Sequence, residues 1–273
     1  MEWKNLLRGF IMGTTDLIPG VSGGTVAFVL GIYDRLLASI SGFFSRDWKK
    51  HIGFLFPLAL GMGVALVLLS KGIDYLLEYH EKPTQFFFMG LVIGVLPFIM
   101  KQADVKRNFS ARHYIALIII AILLASLGFL QTNENADPIT TLNIATIIGL
   151  FFSGWLASMA MLLPGISGSF VLLLLGVYST AINALSTMNI PVILTIGAGV
   201  IVGFVVSSKA IQYLLSHFQH LTYALIIGLI IGSIFVIYPG IPSGRGIILS
   251  LITFLIGLIL SYSISLIKKP TDH

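Results

Sequence analysis

The sequence predicts an all-α integral membrane protein made of two inverted halves, each opened by a re-entrant, broken-helix hairpin, with about six full transmembrane helices in total. Three observations lead there. Of 273 residues, 56% are hydrophobic and only 10% charged, with a mean hydropathy of +0.98; a soluble domain carries about 25% charge. Apolar runs of membrane-crossing length recur along the chain. A helix-breaking tract also occurs twice inside apolar sequence, as Pro19-Gly20-Val21-Ser22-Gly23-Gly24-Thr25 and as Pro164-Gly165-Ile166-Ser167-Gly168-Ser169-Phe170. Proline lacks an amide donor and glycine loses much backbone entropy on ordering, so both tracts interrupt helices.

The elements follow in order. Trp3, Leu6, Leu7, Phe10 and Ile11 recur at helical spacing and predict a short helix over 3–18, with Asp16 near its end. After the loop 19–24 a second short helix runs from Thr25 to about Leu37. Fourteen residues at about 1.5 Å each give about 21 Å, short of the roughly 30 Å hydrocarbon core. The pair 3–38 therefore reads as a re-entrant hairpin, with two spanning helices as the alternative. Spans follow at 53–77, 84–100 and 113–130, and the polar loop Asn133–Pro138 closes the half. The second half opens with a hairpin over 142–183 and continues with spans at 191–215, 222–238 and 246–267. The halves are thus 1–135 and 142–268, forming one membrane domain.

The duplication is internal and specific. Positions 19–33 and 164–178 align without a gap, with eight of 15 pairs identical, ending in Gly31-Ile32-Tyr33 and Gly176-Val177-Tyr178. Positions 71–94 and 209–232 match at ten of 24 pairs, including Lys71/Lys209, Thr84/Thr222 and the spaced glycines Gly90/Gly94 and Gly228/Gly232. Those glycines read as helix-packing faces.

Charge placement orients the halves. With the basic loop 101–112 inside, thirteen basic residues lie at the inner face, and only Lys71, Lys82 and Arg245 lie outside. Both termini are then cytoplasmic. Each half makes an odd number of crossings, so the halves are inverted and their hairpins dip in from opposite faces, which is the logic of an inverted-repeat transporter. The net charge of +5 resides in these loops and is no nucleic-acid footprint. The absence of cysteine removes disulfides, thiolate catalysis and Cys-ligated metal sites. No cleavable signal is read, because Pro19-Gly20 interrupts the first apolar run and no small-residue cleavage site follows it.

The loops carry the chemistry. A helix N-terminus presents unpaired amides and about half a positive charge, which suits an anion such as phosphate. The donors are Ser22, Gly23, Gly24 and Thr25 in the first hairpin and Ser167, Gly168 and Ser169 in the second, with Pro19, Gly20, Pro164 and Gly165 shaping the loops. The plainer reading is that glycine and serine only cap helices and allow close packing; the duplication favours a shared ligand site. Asp16, an acid in apolar surroundings, reads either as a proton or cation coupling group or as a hydrogen-bond acceptor for loop amides. Lys71 and Lys209 either attract lipid phosphate at opposite interfaces or snorkel to them. Histidines show no metal-ligand spacing, and no nucleophile–base arrangement supports a membrane hydrolase.

At Gly13-x-x-Asp16-x-x-Pro19 through Thr25 and at Leu163 through Phe170, the chain resembles the bacterial polyprenyl-phosphate transporter (PopT-type) family, formerly a domain of unknown function. The resemblance covers essentially the whole chain. It implies a multi-pass protein of the bacterial cytoplasmic membrane that moves undecaprenyl phosphate, the carrier lipid of cell-wall synthesis, from the outer to the inner leaflet. The family motif carries over onto Asp16, Pro19 to Thr25 and Pro164 to Ser169, and the residues themselves point to no enzyme activity, cofactor, metal or nucleic-acid partner. Coupling to protons or sodium and a homodimer stay open, as do two alternatives: a small-anion transporter or channel using the same loops, and a lipid-phosphate hydrolase.

Overall fold

A computed structural model describes residues 1–16, 22–128, 139, 142–244 and 246–267. The regular elements among them are all α-helices: α1 Lys4–Asp16, α2 Gly23–Val29, α3 Tyr33–Ser41, α4 Trp48–Tyr79, α5 Glu81–Gln102, α6 Val105–Asn108, α7 Ala111–Gly128, α8 Ile144–Leu162, α9 Gly168–Leu174, α10 Tyr178–Ser186, α11 Ile190–His217, α12 Gln219–Ile237 and α13 Gly246–Ile267. Among the described residues, seven helices are long and apolar enough to cross a membrane: α4, α5, α7, α8, α11, α12 and α13. The protein is a multi-pass membrane protein. Six of these are the predicted spans. The seventh is α8, which the sequence assigns to the second hairpin but which is a predominantly apolar helix of 19 residues in its own right.

The short helices break where the sequence reading runs on. One helix is expected from Thr25 to Leu37, yet α2 ends at Val29 and α3 begins at Tyr33. Gly31 takes φ +57°, a conformation that glycine adopts without strain. The Gly31 amide donates to the Phe28 carbonyl (2.8 Å) and the Ile32 amide to that of Ala27 (2.9 Å). This is the Schellman stop, which satisfies carbonyls left over at a helix end. Gly176, at φ +68°, ends α9 in the same way: Gly176 donates to Leu173 (2.9 Å) and Val177 to Leu172 (3.0 Å). The chain bends by 112° between α9 and α10.

Lipid is as apolar as leucine, so helices in a bilayer are held by close van der Waals contact through small residues. Four pairs are built this way. Gly9 lies against the Leu58 carbonyl and Gly61 against Leu6 and Phe10, joining α1 to α4. Gly154 lies against Ile196 and Gly199 against Phe151 and Trp155, joining α8 to α11. Gly90 and Gly94 face Phe254, Leu258 and Ser261 on α13, while Gly228 and Gly232 face Leu117, Ala121 and Leu124 between α12 and α7. In each pair the contact positions rise together along both chains, so the partners run parallel.

Two contacts tie α3 and α10 back to the residues ahead of α1 and α8. Glu2 forms an ion pair with Arg35 of α3, and its amide donates to the Gly53 carbonyl (3.0 Å). The Ile139 amide, ahead of α8, donates to Thr180 Oγ1 of α10 (3.0 Å). The core gathers around α2 and α3, with Leu37, Phe54, Val95, Ile99, Ile227 and Ile230 fully buried. Every residue of α2 is buried, whereas in α9 only Gly168 is.

Candidate substrate-binding site

The two motif segments meet. Ser22, in extended backbone, is the N-cap of α2; its Oγ accepts from the Gly24 amide (3.1 Å) and donates across to the Leu163 carbonyl (3.2 Å). The Gly165 amide donates to Thr25 Oγ1 (2.9 Å), and Tyr33 Oη donates to the Leu162 carbonyl (2.9 Å). Gly165, at φ +90°, lies against the Leu229 carbonyl of α12, so a side chain there meets both strain and backbone. Ser167 is the N-cap of α9, accepting from the Phe170 amide (3.2 Å), with its Oγ 3.3 Å from Ser169 Oγ. Broken-helix ends in a bilayer interior are tolerated only where side chains and neighbouring backbone satisfy the freed groups, and these contacts do so.

The α2 end already holds an anion. Asp16 Oδ1 accepts from the Gly23 amide at 2.7 Å, and the carboxylate lies directly over Gly23. Of the two readings of Asp16, this geometry is the loop-amide acceptor. The corresponding position in the second half is Met161, whose side chain packs over Gly168. The two helix ends therefore differ in charge: α2 is occupied by a carboxylate, and α9 is covered by a thioether.

Asp16, Gly23 and Gly24 also form the polar edge of a cavity of about 590 Å³. Its remaining walls are apolar, from α1, α3, α4, the end of α8, and α11. Aliphatic and aromatic side chains such as Leu36, Ile40, Leu58, Phe204 and Val205 dominate.

Of the predicted site residues, Asp16, Gly23 and Gly24 line this cavity, and Ser22, Thr25 and Gly165 lie in the contacts that join the two motif segments. Ser167 and Gly168 are buried and Ser169 half-buried at the start of α9, outside the cavity lining. Pro164 is buried next to Gly165, while Pro19 and Gly20 fall outside the described residues. Lys71 and Lys209 do not join the site: both are exposed, on α4 and α11, and neither lines the cavity. The sequence reading missed Tyr33 and the carbonyls of Leu162 and Leu163, which tie the halves together. Tyr33 carried a signal, since it is one of the eight identities between the repeated tracts; the carbonyls carried none, because any residue supplies one. It also missed the α3 and α11 walls.

Residues 12–243 match the model of the undecaprenyl phosphate translocase-like family. The chain is 46% identical over 279 residues to a protein of Staphylococcus aureus named Polyprenyl-phosphate transporter, covering 99% of each. It is 34% identical over 246 residues to a protein of the same name from Vibrio cholerae, covering 85% of this chain and 76% of that one. No solved structure matches the chain significantly. With a match spanning most of its length, and its repeated motif segments joined at one site, the chain belongs to the undecaprenyl phosphate translocase-like family.

Proposed function

We propose that the chain carries undecaprenyl phosphate from the outer to the inner leaflet of the bacterial cytoplasmic membrane, as a transporter and not an enzyme. The observation that carries this reading is the joining of the two motif segments at the edge of an apolar cavity. A polar edge on an apolar chamber suits an amphiphile with an anionic head. A soluble small anion would have to shed its water beside walls that offer no replacement for it, so the small-anion reading falls behind. The names of the relatives favour the lipid and give no support to a hydrolase.

The phosphate would sit between the α2 and α9 ends, on Ser22, Gly23, Gly24, Thr25, Ser167, Gly168 and Ser169. Because Asp16 holds the Gly23 amide, the head group displaces its carboxylate on binding. The halves are inverted in this reading. The support is directional. Two spanning helices joined by the single residue His80 must reverse, and so must those joined by Phe218. Residues 103–110 are too few to recross the membrane, so α5 and α7 also run oppositely; with α12 parallel to α7 and α5 parallel to α13, matched helices of the two halves then run oppositely. The Glu2–Arg35 and Ile139–Thr180 contacts support hairpins that leave by the face they entered. Both termini lie in the cytoplasm by the distribution of basic residues.

The test is purified protein in liposomes with labelled undecaprenyl phosphate, its leaflet followed over time under imposed proton or sodium gradients. Protein-dependent loss of label from one leaflet is expected, and soluble phosphate in excess should not compete. Equal rates with and without protein would refute the reading, and release of inorganic phosphate would favour the hydrolase.

A further inference from the structure

We propose that the chamber bounded by α3, α4 and α11 receives the isoprene units nearest the phosphate, so that the first stretch of hydrocarbon moves inside the protein while the rest of the tail stays in the bilayer. This rests on the functional reading above and adds a second subsite to it. The chamber begins at the motif: Asp16, Gly23 and Gly24 line one edge, and the rest of the wall is hydrocarbon, aromatic ring or thioether. A head group held at that edge can lead its chain into this space, into a smaller apolar cavity of about 280 Å³ on the Thr25 side, or directly out to lipid; the first is about twice the volume and has the motif residues Gly23 and Gly24 at its edge.

The wall is built and not incidental. Helix α3 is tied at its first residue by the Tyr33–Leu162 hydrogen bond and at its last by Ser41, whose Oγ accepts from Gln212 Nε2 of α11 (2.8 Å). Its nine residues span about 13 Å at 1.5 Å each. Phe43 and Phe44, which follow it, therefore sit at the end of the chamber away from the motif, and they are 38% and 71% exposed. That end is the exit for the remaining tail. A volume of about 590 Å³ lies within the roughly 300–1,000 Å³ of sites that engulf small ligands. It takes a few isoprene units and not the whole chain.

Transfer from lipid into an apolar chamber brings no hydrophobic gain, because both surroundings are apolar. The chamber therefore acts on selectivity through shape. The branched and aromatic side chains of Leu36, Ile40, Leu58, Phe204 and Val205 set that shape, and the unbranched Met12, Met62 and Met161 fill the gaps left around a kinked, methyl-branched chain. Prenyl phosphates are accordingly selected over straight-chain lipid phosphates.

A photoactivatable phenylalanine analogue at Val205 tests this, with the same analogue at Ile122 as control. Ile122 lies on α7, is 63% exposed and lies outside the chamber. Both variants are placed in phospholipid vesicles with radiolabelled undecaprenyl phosphate. Labelling at Val205 should saturate and fall at least tenfold under unlabelled farnesyl phosphate but not under dodecyl phosphate; labelling at Ile122 should do neither. Val205→Trp, which fills the space, should weaken binding at least tenfold while the protein keeps its melting temperature within a few degrees. If the wild type retains the lipid but Val205 labels no more saturably than Ile122, the chamber is wrong and the functional reading stands. If the wild type retains no labelled lipid, both fall.

Discussion

Thr25 shows how one hydroxyl can join two halves of a chain. It is 3% exposed, and its Oγ1 accepts the Gly165 amide across 140 positions of sequence. Removing the acceptor leaves a buried amide without a partner, which costs about 1–3 kcal/mol. Thr25→Val, of nearly the same shape, should therefore lower the melting temperature and transport together. Thr25→Ser should keep both close to wild type; equal damage from the two variants would mean that the methyl matters and the bond does not. Asp16 makes a different prediction. Asp16→Asn keeps an oxygen acceptor for the Gly23 amide but removes the charge that faces an incoming phosphate. Undecaprenyl phosphate should bind several-fold tighter to this variant. Weaker binding would show that the carboxylate assists the lipid and does not stand in its place.

At the level of elements, the glycine stops decide where α2 and α9 end. A residue with a side chain in the left-handed region costs roughly 1–2 kcal/mol. Nothing lies within 4 Å of the position a side chain would take at Gly176, so Gly176→Ala isolates this cost from any clash. It should destabilise the protein by about that amount, and Gly176→Asn by less, since asparagine tolerates the left-handed region. Thermal unfolding in detergent measures both, and no difference between Ala and Asn would remove backbone strain as the cause. The same stops mark where the sequence could and could not be read. The Pro-Gly tracts announced themselves because two helix breakers stood side by side in apolar sequence. Gly31 did not, because a lone glycine between Leu30 and Ile32 also suits a continuing helix. The six spans were legible from hydropathy, and the glycine faces from their spacing. The partner of each face was not, because α5 and α12 are apolar around their whole circumference and no stripe points to a neighbour. The donors of the site were legible as types. That Asp16 would already hold one of them is a contact between residues seven apart on two different helices, which no periodicity encodes.

Across the whole molecule, matched positions sit in unlike surroundings. Phe204 and Val205 of α11 are half-buried beneath α3, while their counterparts Leu66 and Val67 of α4 are 42% and 79% exposed. Leu37 of α3 is fully buried, and its counterpart Ile182 of α10 is 49% exposed. The inverted-repeat reading predicts a second arrangement, in which α10 closes on α4 and α3 leaves α11, so that the Ser41–Gln212 hydrogen bond opens between the two. Because the chain has no cysteine, thiols can be placed there without background. The length of the glutamine side chain sets the two Cβ atoms too far apart for a direct disulfide, which needs about 3.5–4.5 Å. A short bis-thiol reagent on Ser41→Cys with Gln212→Cys should bridge them at rest and stop transport, and a cleavable version should restore it. The pair Val67→Cys with Leu185→Cys, both now exposed, should bridge only in protein supplied with undecaprenyl phosphate. Full transport by protein bridged at 41 and 212 would mean that α3 and α11 move as one body, and the lipid would have to cross by a route that leaves them joined.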